Sequence, residues 1–450
     1  MELLSYSTSA PPWKWSLMTI AMVIQSIIAM PLREVEASID KSPSHWVDIW
    51  TTMPQLVESY NLPPAPFNGS TGVFLNSTLR QTVQVGLDAT EIRIRLSNAF
   101  GPNDLKVDKV VISLPQGQKA GTNTSDLNST ARVEFGTSPT ITIPSGALAV
   151  SDPIAFPLAA QSILMIDIYL AAGQEGFSIT GHPGSRTTSY LAAGDQTGVH
   201  YLSGDGVQET EHWYFISGIE AHLSHEAGAF VILGDSITDG KASITNANDR
   251  WPDLLLDRMR HHAATKKLAV ANQAAGGNRV LHDGLGPSLV SRIDRDVLAQ
   301  SGVTHVMLFE GVNDIGVAAP DRESQLYVGD QLMVAYQQIA TRVHAAGLPL
   351  YGATITPFGT PSSSNYTQPY SSLEREKTRQ RVNTFIRTSG VFDAVIDFDQ
   401  AVRDPAEPSH LLAIYDSGDH LHPNEAGYHA LADYFPLDVF NRVGPVWGSD

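Results

Sequence analysis

A change of rhythm near Gly228 constrains this chain more than any other feature. From Trp46 to about Glu226, short runs such as "TLRQTVQVGL", "EIRIRLSNAF", "TITIPSG" and "SILMIDIYLA" carry apolar residues at every second position. Gly, Pro, Asn and Asp separate the runs. Side chains alternate across a strand, so such runs cut by turn residues predict an antiparallel β-sandwich or jelly roll. No helical period of any length interrupts them. After Gly228, aliphatic runs alternate with amphipathic stretches. Strands are expected at Phe230–Leu233, Leu268–Asn272, Val303–Phe309, Leu348–Ile355 and Ala394–Phe398. Helices are expected at Trp251–His262, Ser288–Leu298, Gln331–Ala346 and Leu373–Thr388. That order predicts an α/β fold, a three-layer parallel sheet flanked by helices. The expected division is an N-terminal signal or anchor at 1–37, a β-sandwich domain at 38–226 and the α/β domain at 227–450. The join "ISGIEAHLSHEAGAFVIL" is short and partly apolar, so the two domains are expected to pack on one another.

Charge narrows the partners. With 47 acidic and 29 basic side chains in 450 residues, the formal charge is −18, and no basic cluster reverses it locally. Such a surface repels phosphate backbones, so no nucleic-acid partner is expected. The chain has no cysteine, which removes disulfides, thiolate ligands and cysteine nucleophiles together. At the N-terminus, Lys14 precedes an apolar run from Leu17 to Leu32, and Ala37 offers a small residue for cleavage. The pattern resembles a secretory signal. The alternative is a single membrane anchor, for which the run is short and interrupted by Thr19, Gln25, Ser26 and Pro31. Asn68, Asn76, Asn123, Asn128 and Asn365 each begin an Asn-x-Ser/Thr sequon. The expectation is a secreted, extracellular glycoprotein with no stable membrane insertion once the signal is cut. The oligomeric state is not legible.

The chemistry gathers where expected strands end. "VILGDSITDG" places Ser236 directly after a buried strand, where a sharp strand-to-helix turn would expose a nucleophile. "NQAAGGNRV" and "LFEGVNDIG" put Gly276-Gly277-Asn278 and Gly311, Asn313 and Asp314 at the next two strand exits. "DSGDHLHPNEAGYHAL" precedes the last helix. Ligands of parallel sheets collect beyond the carboxyl ends of the strands. A nucleophilic serine needs a base, the base an orienting carboxylate, and the oxyanion hydrogen-bond donors. The chain offers candidates for each. It has no HExxH, no GxxxxGK[ST], no GxGxxG after a strand and no GxSxG, which argues against zinc peptidase, P-loop, dinucleotide and ordinary α/β-hydrolase readings.

In this order, GDSITDG, GGNR, GVND and DHLHP resemble the SGNH hydrolase superfamily, also called GDSL esterases and lipases. The segment "NSTLRQTVQV…IRIRLSNAFG" is similar to the β-rich region that accompanies some secreted members. The resemblance implies a flavodoxin-like sheet and a secreted serine esterase acting on small-molecule or carbohydrate esters, with short acyl or acetyl groups foremost. It implies Ser236 as nucleophile, His422 as base and then acid, and Asp419 as its orienting carboxylate. The oxyanion hole would be the backbone N–H of Ser236, that of Gly277 and the side-chain amide of Asn313. No organic cofactor and no metal are implied. Ile237 replaces the usual leucine, and Gly276 stands where serine is common, which leaves open which glycine donates. Spacing alone also allows Asp416 with His420 as the carboxylate and base. His420 would share the face of His422 in an extended stretch, as a rim or substrate contact. An acyltransferase with the same machinery and a non-catalytic glycan-binding protein are the alternatives. The polar tract at 360–372 is a loop that could rim the site, while Arg250-Trp251-Pro252 and Glu310 lie near the motifs without a role.

Overall fold

The computed structural model describes residues 43–69, 71–204 and 206–442; the expected signal segment 1–37 lies outside them. Most of the period-two runs form two large antiparallel sheets, while Ile141–Ile143 pairs with Leu105–Val107 in a separate two-stranded sheet. One runs Ser44–Thr51, Ile216–Ser224, Ala89–Ser97 and Leu148–Val150, with Ile154–Leu158 also pairing with Ala89–Ser97. The other runs Gln208–Thr210, Ser189–Ala193, Ser77–Gln84, Ile163–Leu170, Lys109–Pro115 and Ser125–Val133. Ile92, Ile94 and Leu96 of one sheet share a core with Leu79, Leu164, Ile166 and Ile168 of the other. Polar residues that the pleat turns inward are paired. Arg80 grips Asp167 on the neighbouring strand through two hydrogen bonds of 2.7 Å. A buried charge held this way is not left unsatisfied.

The α/β half builds a five-stranded parallel sheet in the order Leu268–Ala274, Gly228–Gly234, Val303–Phe309, Leu350–Ala353 and Ala394–Ile396. Every residue of Gly228–Gly234 is buried, as a central parallel strand requires. Its alternate side chains feed two cores. Val231 and Leu233 join Val306, Leu308 and the helix Arg322–Ala345, whereas Phe230 and Ile232 join Met307, Phe309 and the helices Trp251–Arg260 and Glu425–Tyr434.

The element bounds differ from the sequence expectation in three informative places. The long helix starts at Arg322 rather than Gln331, because Asp321 caps it by accepting from Ser324 N–H at 2.9 Å. Gly329, inside this helix, sits where a Cβ would meet Arg381. The strand expected at Leu348–Ile355 is Leu350–Ala353, since Ile355 N–H donates to Asn383 Oδ1 at 2.8 Å instead of to a neighbouring strand. The helix expected at Ser288–Leu298 is α-helical only over Leu289–Ile293 and continues as a π turn over Asp294–Leu298.

The halves share one hydrophobic cluster, running from Val47 and Ile49 to Ala229, Ala269 and Val306, and belong to one compact unit. The backbones interlock: Asp48 N–H donates to Ser301 O at 2.9 Å, and Ser301 N–H returns a bond to Asp48 Oδ2 at 2.8 Å. A methyl group on Gly86 would stand 3.2 Å from Ala269 Cβ, and one on Gly302 2.8 Å from Val47 Cγ2.

Candidate active site

The strand order explains why motifs distant in sequence converge. Gly228–Gly234 lies between Leu268–Ala274 and Val303–Phe309, so the segments carrying Ser236, Gly277 and Asn313 leave three adjacent strands at the same edge. The chain order reverses there, which opens a crevice. The GDSITDG stretch does not run into a helix as expected; it winds through successive turns, and the next helix waits until Trp251. Ile237 N–H donates to Asp235 Oδ1 at 3.0 Å, and Asp239 N–H to Asp235 O at 2.9 Å. Gly240 then takes φ +86°, which ends any helical continuation. Gly234 has no alternative residue, because a Cβ there would stand 2.5 Å from Thr238 Oγ1. Ser236 keeps 8% of its surface exposed at the tip.

Ser236 Oγ lies 2.8 Å from His422 Nε2, and His422 Nδ1 lies 2.6 Å from Asp419 Oδ2. The carboxylate can only accept, so the proton belongs on Nδ1 and Nε2 faces the hydroxyl as acceptor. Asp419 Oδ1 also accepts from the backbone N–H of His422 at 2.8 Å and of Leu421 at 3.0 Å. Partial burial pushes the Asp419 carboxyl up, but the hydrogen bonds and charge of His422 outweigh it and hold the group well below the usual carboxylate range.

The loop at 276–278 and the short helix Val312–Val317 face this array. Asn313 donates from Nδ2 to Asn278 O at 2.9 Å, leaving its second amide N–H without an acceptor among the described residues. The backbone N–H groups of Ser236, Gly276 and Gly277 likewise have none there. Gly277 adopts φ +71° with Leu285 packed where a side chain would begin, so only glycine fits. Asp314 fastens this helix to the loop after Gly277, accepting from Val280 N–H at 2.8 Å and Leu281 N–H at 3.0 Å. Asn278 donates to Leu285 O and Pro287 O, both at 2.9 Å.

The alternative pair is held apart from Ser236. His420 has φ +61°, so the stretch is not extended and its ring turns away from the face of His422. It pairs with Asp416 through Nδ1 and with Ser364 Oγ at 2.6 Å through Nε2. Gln368 and Tyr370, from the same polar loop as Ser364, reach Asp419 O and Asn313 Oδ1 at 2.6 and 3.1 Å. The loop's lack of periodicity was the only signal in the sequence.

Behind the loops lies a buried charge network. Arg292 donates to Glu310 Oε2, Asp296 Oδ2 and Asn278 Oδ1, each at 3.0 Å, which gives Glu310 a role. Burial raises the Glu310 carboxyl well above its ordinary range against the opposing pull of Arg292. Asp235 is pushed up to about 7 by burial, opposed by the Ile237 hydrogen bond and reinforced by Asp314 and Asp239. Arg250 joins the halves, bonding Ser185 O while lying 5.6 Å from the centre of the Trp213 ring. Among the described residues, no three His, Asp or Glu side chains are placed to hold a metal ion, and no helix is long and apolar enough to cross a membrane.

Residues 232–430 match the GDSL-like Lipase/Acylhydrolase family. This part of the chain is a GDSL-like acylhydrolase domain. The protein is a carboxylic ester hydrolase, which sets aside the non-catalytic alternative. Similar solved structures include a GDSL-like lipase from Bacteroides thetaiotaomicron, 14% identical over 48% of this chain and 89% of that one, with a TM-score of 0.33. An acetyl xylan esterase from Geobacillus stearothermophilus is 18% identical over 48% of this chain and 97% of that one, with a TM-score of 0.35. An alpha/beta hydrolase enzyme from the metagenome of Lake Arreo, Spain, is 19% identical over 48% and 97%, with a TM-score of 0.34. The chain has no match among curated proteins.

Proposed function

We propose that the enzyme hydrolyses short acyl esters of carbohydrates or small molecules through an acyl-enzyme on Ser236. The observation that carries this reading is the unbroken chain from Ser236 Oγ to His422 Nε2 and from His422 Nδ1 to Asp419, at 2.8 and 2.6 Å. Ser236 Oγ bonds to the ester carbonyl carbon as its proton passes to Nε2. The bond to the alcohol oxygen breaks, and the alcohol leaves with that proton. Water then attacks the acyl carbon, giving its proton to His422, and the carboxylic acid departs as Ser236 regains a hydrogen. Asp419 steadies the imidazolium that forms in each step. The free N–H groups of Ser236 and Gly277 and the second amide N–H of Asn313 receive the negative oxygen.

A secreted glycoprotein is part of the proposal. It is supported by exposure of Asn68, Asn76, Asn128 and Asn365, with Asn123 partly exposed. A mobility shift on treatment of the natively expressed protein with a peptide N-glycosidase tests it.

The test of the chemistry is a fluorophosphonate probe with mapping of the labelled residue. Labelling at Ser236, lost in Ser236→Ala, is expected; labelling elsewhere would overturn the assignment. Hydrolysis rates across an acyl series, then on acetylated polysaccharides, test the substrate class. Product analysis with an added acceptor alcohol separates hydrolysis from acyl transfer.

A further inference from the structure

The polar loop between Phe358 and Leu373 closes on itself at Thr360, whose N–H donates to Ser371 Oγ and whose Oγ1 accepts from Gln368 N–H, both at 2.9 Å. Its side chains reach both ends of the site. Gln368 Nε2 donates to Asp419 O at 2.6 Å, while Gln368 Oε1 accepts from Tyr370 N–H at 3.2 Å. Tyr370 Oη donates to Asn313 Oδ1 at 3.1 Å. The Tyr370 ring lies over Gly316, where a Cβ would come within 2.4 Å of it, and meets Phe358 edge-on. Its place is therefore fixed by packing as well as by the hydrogen bond.

An asparagine amide can be turned end for end with almost no change of shape, so its neighbours must decide which end is the donor. Asn278 O can only accept, which selects Nδ2 on that side. The phenol supplies the matching donor for Oδ1 on the other. Burial raises the Tyr370 phenol above its ordinary range, so it keeps its proton at neutral pH. Without that donor, Oδ1 would lose its partner and the Asn278 bond alone would hold the amide, so its second N–H would be aimed less firmly at the developing negative oxygen.

We infer that Tyr370 is a positioning residue that fixes the Asn313 amide with its free N–H turned toward the reacting carbonyl oxygen. The inference rests on the reading of Asn313 as an oxyanion donor. It makes the loop a brace that sets the two sides of the site relative to one another, through Gln368 on Asp419 and Tyr370 on Asn313.

The test is a double-mutant cycle of Tyr370→Phe and Asn313→Ala, with kcat and KM on p-nitrophenyl acetate and the thermal midpoint of each variant. Tyr370→Phe keeps the ring and removes one neutral hydrogen bond. It is expected to lower kcat about tenfold while leaving KM and the midpoint unchanged. Asn313→Ala is expected to lower kcat further, and the double variant to match Asn313→Ala. If Tyr370→Phe keeps full kcat while Asn313→Ala is impaired, the inference falls and the oxyanion reading stands. If Tyr370→Phe costs the same factor in both backgrounds, the phenol acts elsewhere and the inference also falls. Full kcat in Asn313→Ala would overturn the oxyanion reading itself, and this inference with it.

Discussion

His182 Nε2 lies 2.8 Å from Asp239 Oδ1, and the opposite ring nitrogen lies 3.0 Å from Met53 O. A histidine of the β-rich half thus holds the turn that carries Ser236. Both side chains are almost fully buried, at 4% and 3% exposure. Removing one member of a buried pair leaves the other without a partner, at a cost of about 3–5 kcal/mol. His182→Ala should therefore lower the unfolding free energy in urea by an amount of that order, and Asp239→Ala should add much less on top. Full additivity would mean that the contact contributes little. By the same reasoning, residues 227–450 expressed alone should be poorly soluble or impaired; a soluble fragment fully active on every substrate would count against the seam as part of the working enzyme.

Ser236→Ala should abolish ester hydrolysis with the thermal transition nearly unchanged. His422→Ala should match it, and the double variant should be hardly worse than either, because members of one catalytic unit are strongly non-additive. His420→Ala should keep a substantial fraction of activity, since its ring is engaged with Asp416 and Ser364. The opposite ranking of the two histidine variants would reassign the base.

Asn313→Ala should reduce turnover more than it weakens substrate binding, because the charge it meets develops only in the transition state. Loss of one such donor costs about 10²–10³ in rate, or roughly 3–4 kcal/mol. Wild-type turnover with a raised KM would place Asn313 in ground-state binding instead.

Asp235 makes stability depend on pH in a direction opposite to that of a salt-bridged carboxylate. Burial pushes its pKa up to about 7 in the folded protein from the ordinary carboxylate value of 3.8. The folded state therefore holds a proton that the unfolded chain has released, and the associated stability is complete below pH ~4 and lost as pH rises through ~7. The full change is about 4 kcal/mol. Asp235→Asn keeps the oxygen that accepts from Ile237 and has no proton to lose. The stability of the wild type relative to this variant should fall as pH is raised from 4 to 8; a constant difference across that range would show that Asp235 titrates normally.

The convergence of Ser236, Gly277, Asn313, Asp419 and His422 was legible because each lies in a short local pattern, the first three at the end of a hydrophobic run and the last two just before the final helix. Tyr370 and Gln368 were not, since a polar loop has no period and their partners lie far along the chain. His182, Arg250 and Arg292 escaped for the same reason: an imidazole or guanidinium acquires its role only from the backbone it meets in the fold. His420 was misplaced because alternation assumes an extended backbone, and its positive φ breaks that assumption. The helix begins at Arg322, nine residues before its expected start, and Gly329 within it leaves room for Arg381 of a neighbouring helix.

Gly86 facing Ala269, and Gly302 facing Val47, bear on how this enzyme can change over generations. Each contact joins a residue of the β-rich half to one of the α/β half with no spare volume, so an enlargement on one side survives only if the other side yields. The two halves must therefore drift together. A recombination event that brought in a different β-rich partner would have to import the matching surface with it, and the catalytic half would be inherited as a fixed couple rather than as an interchangeable cassette.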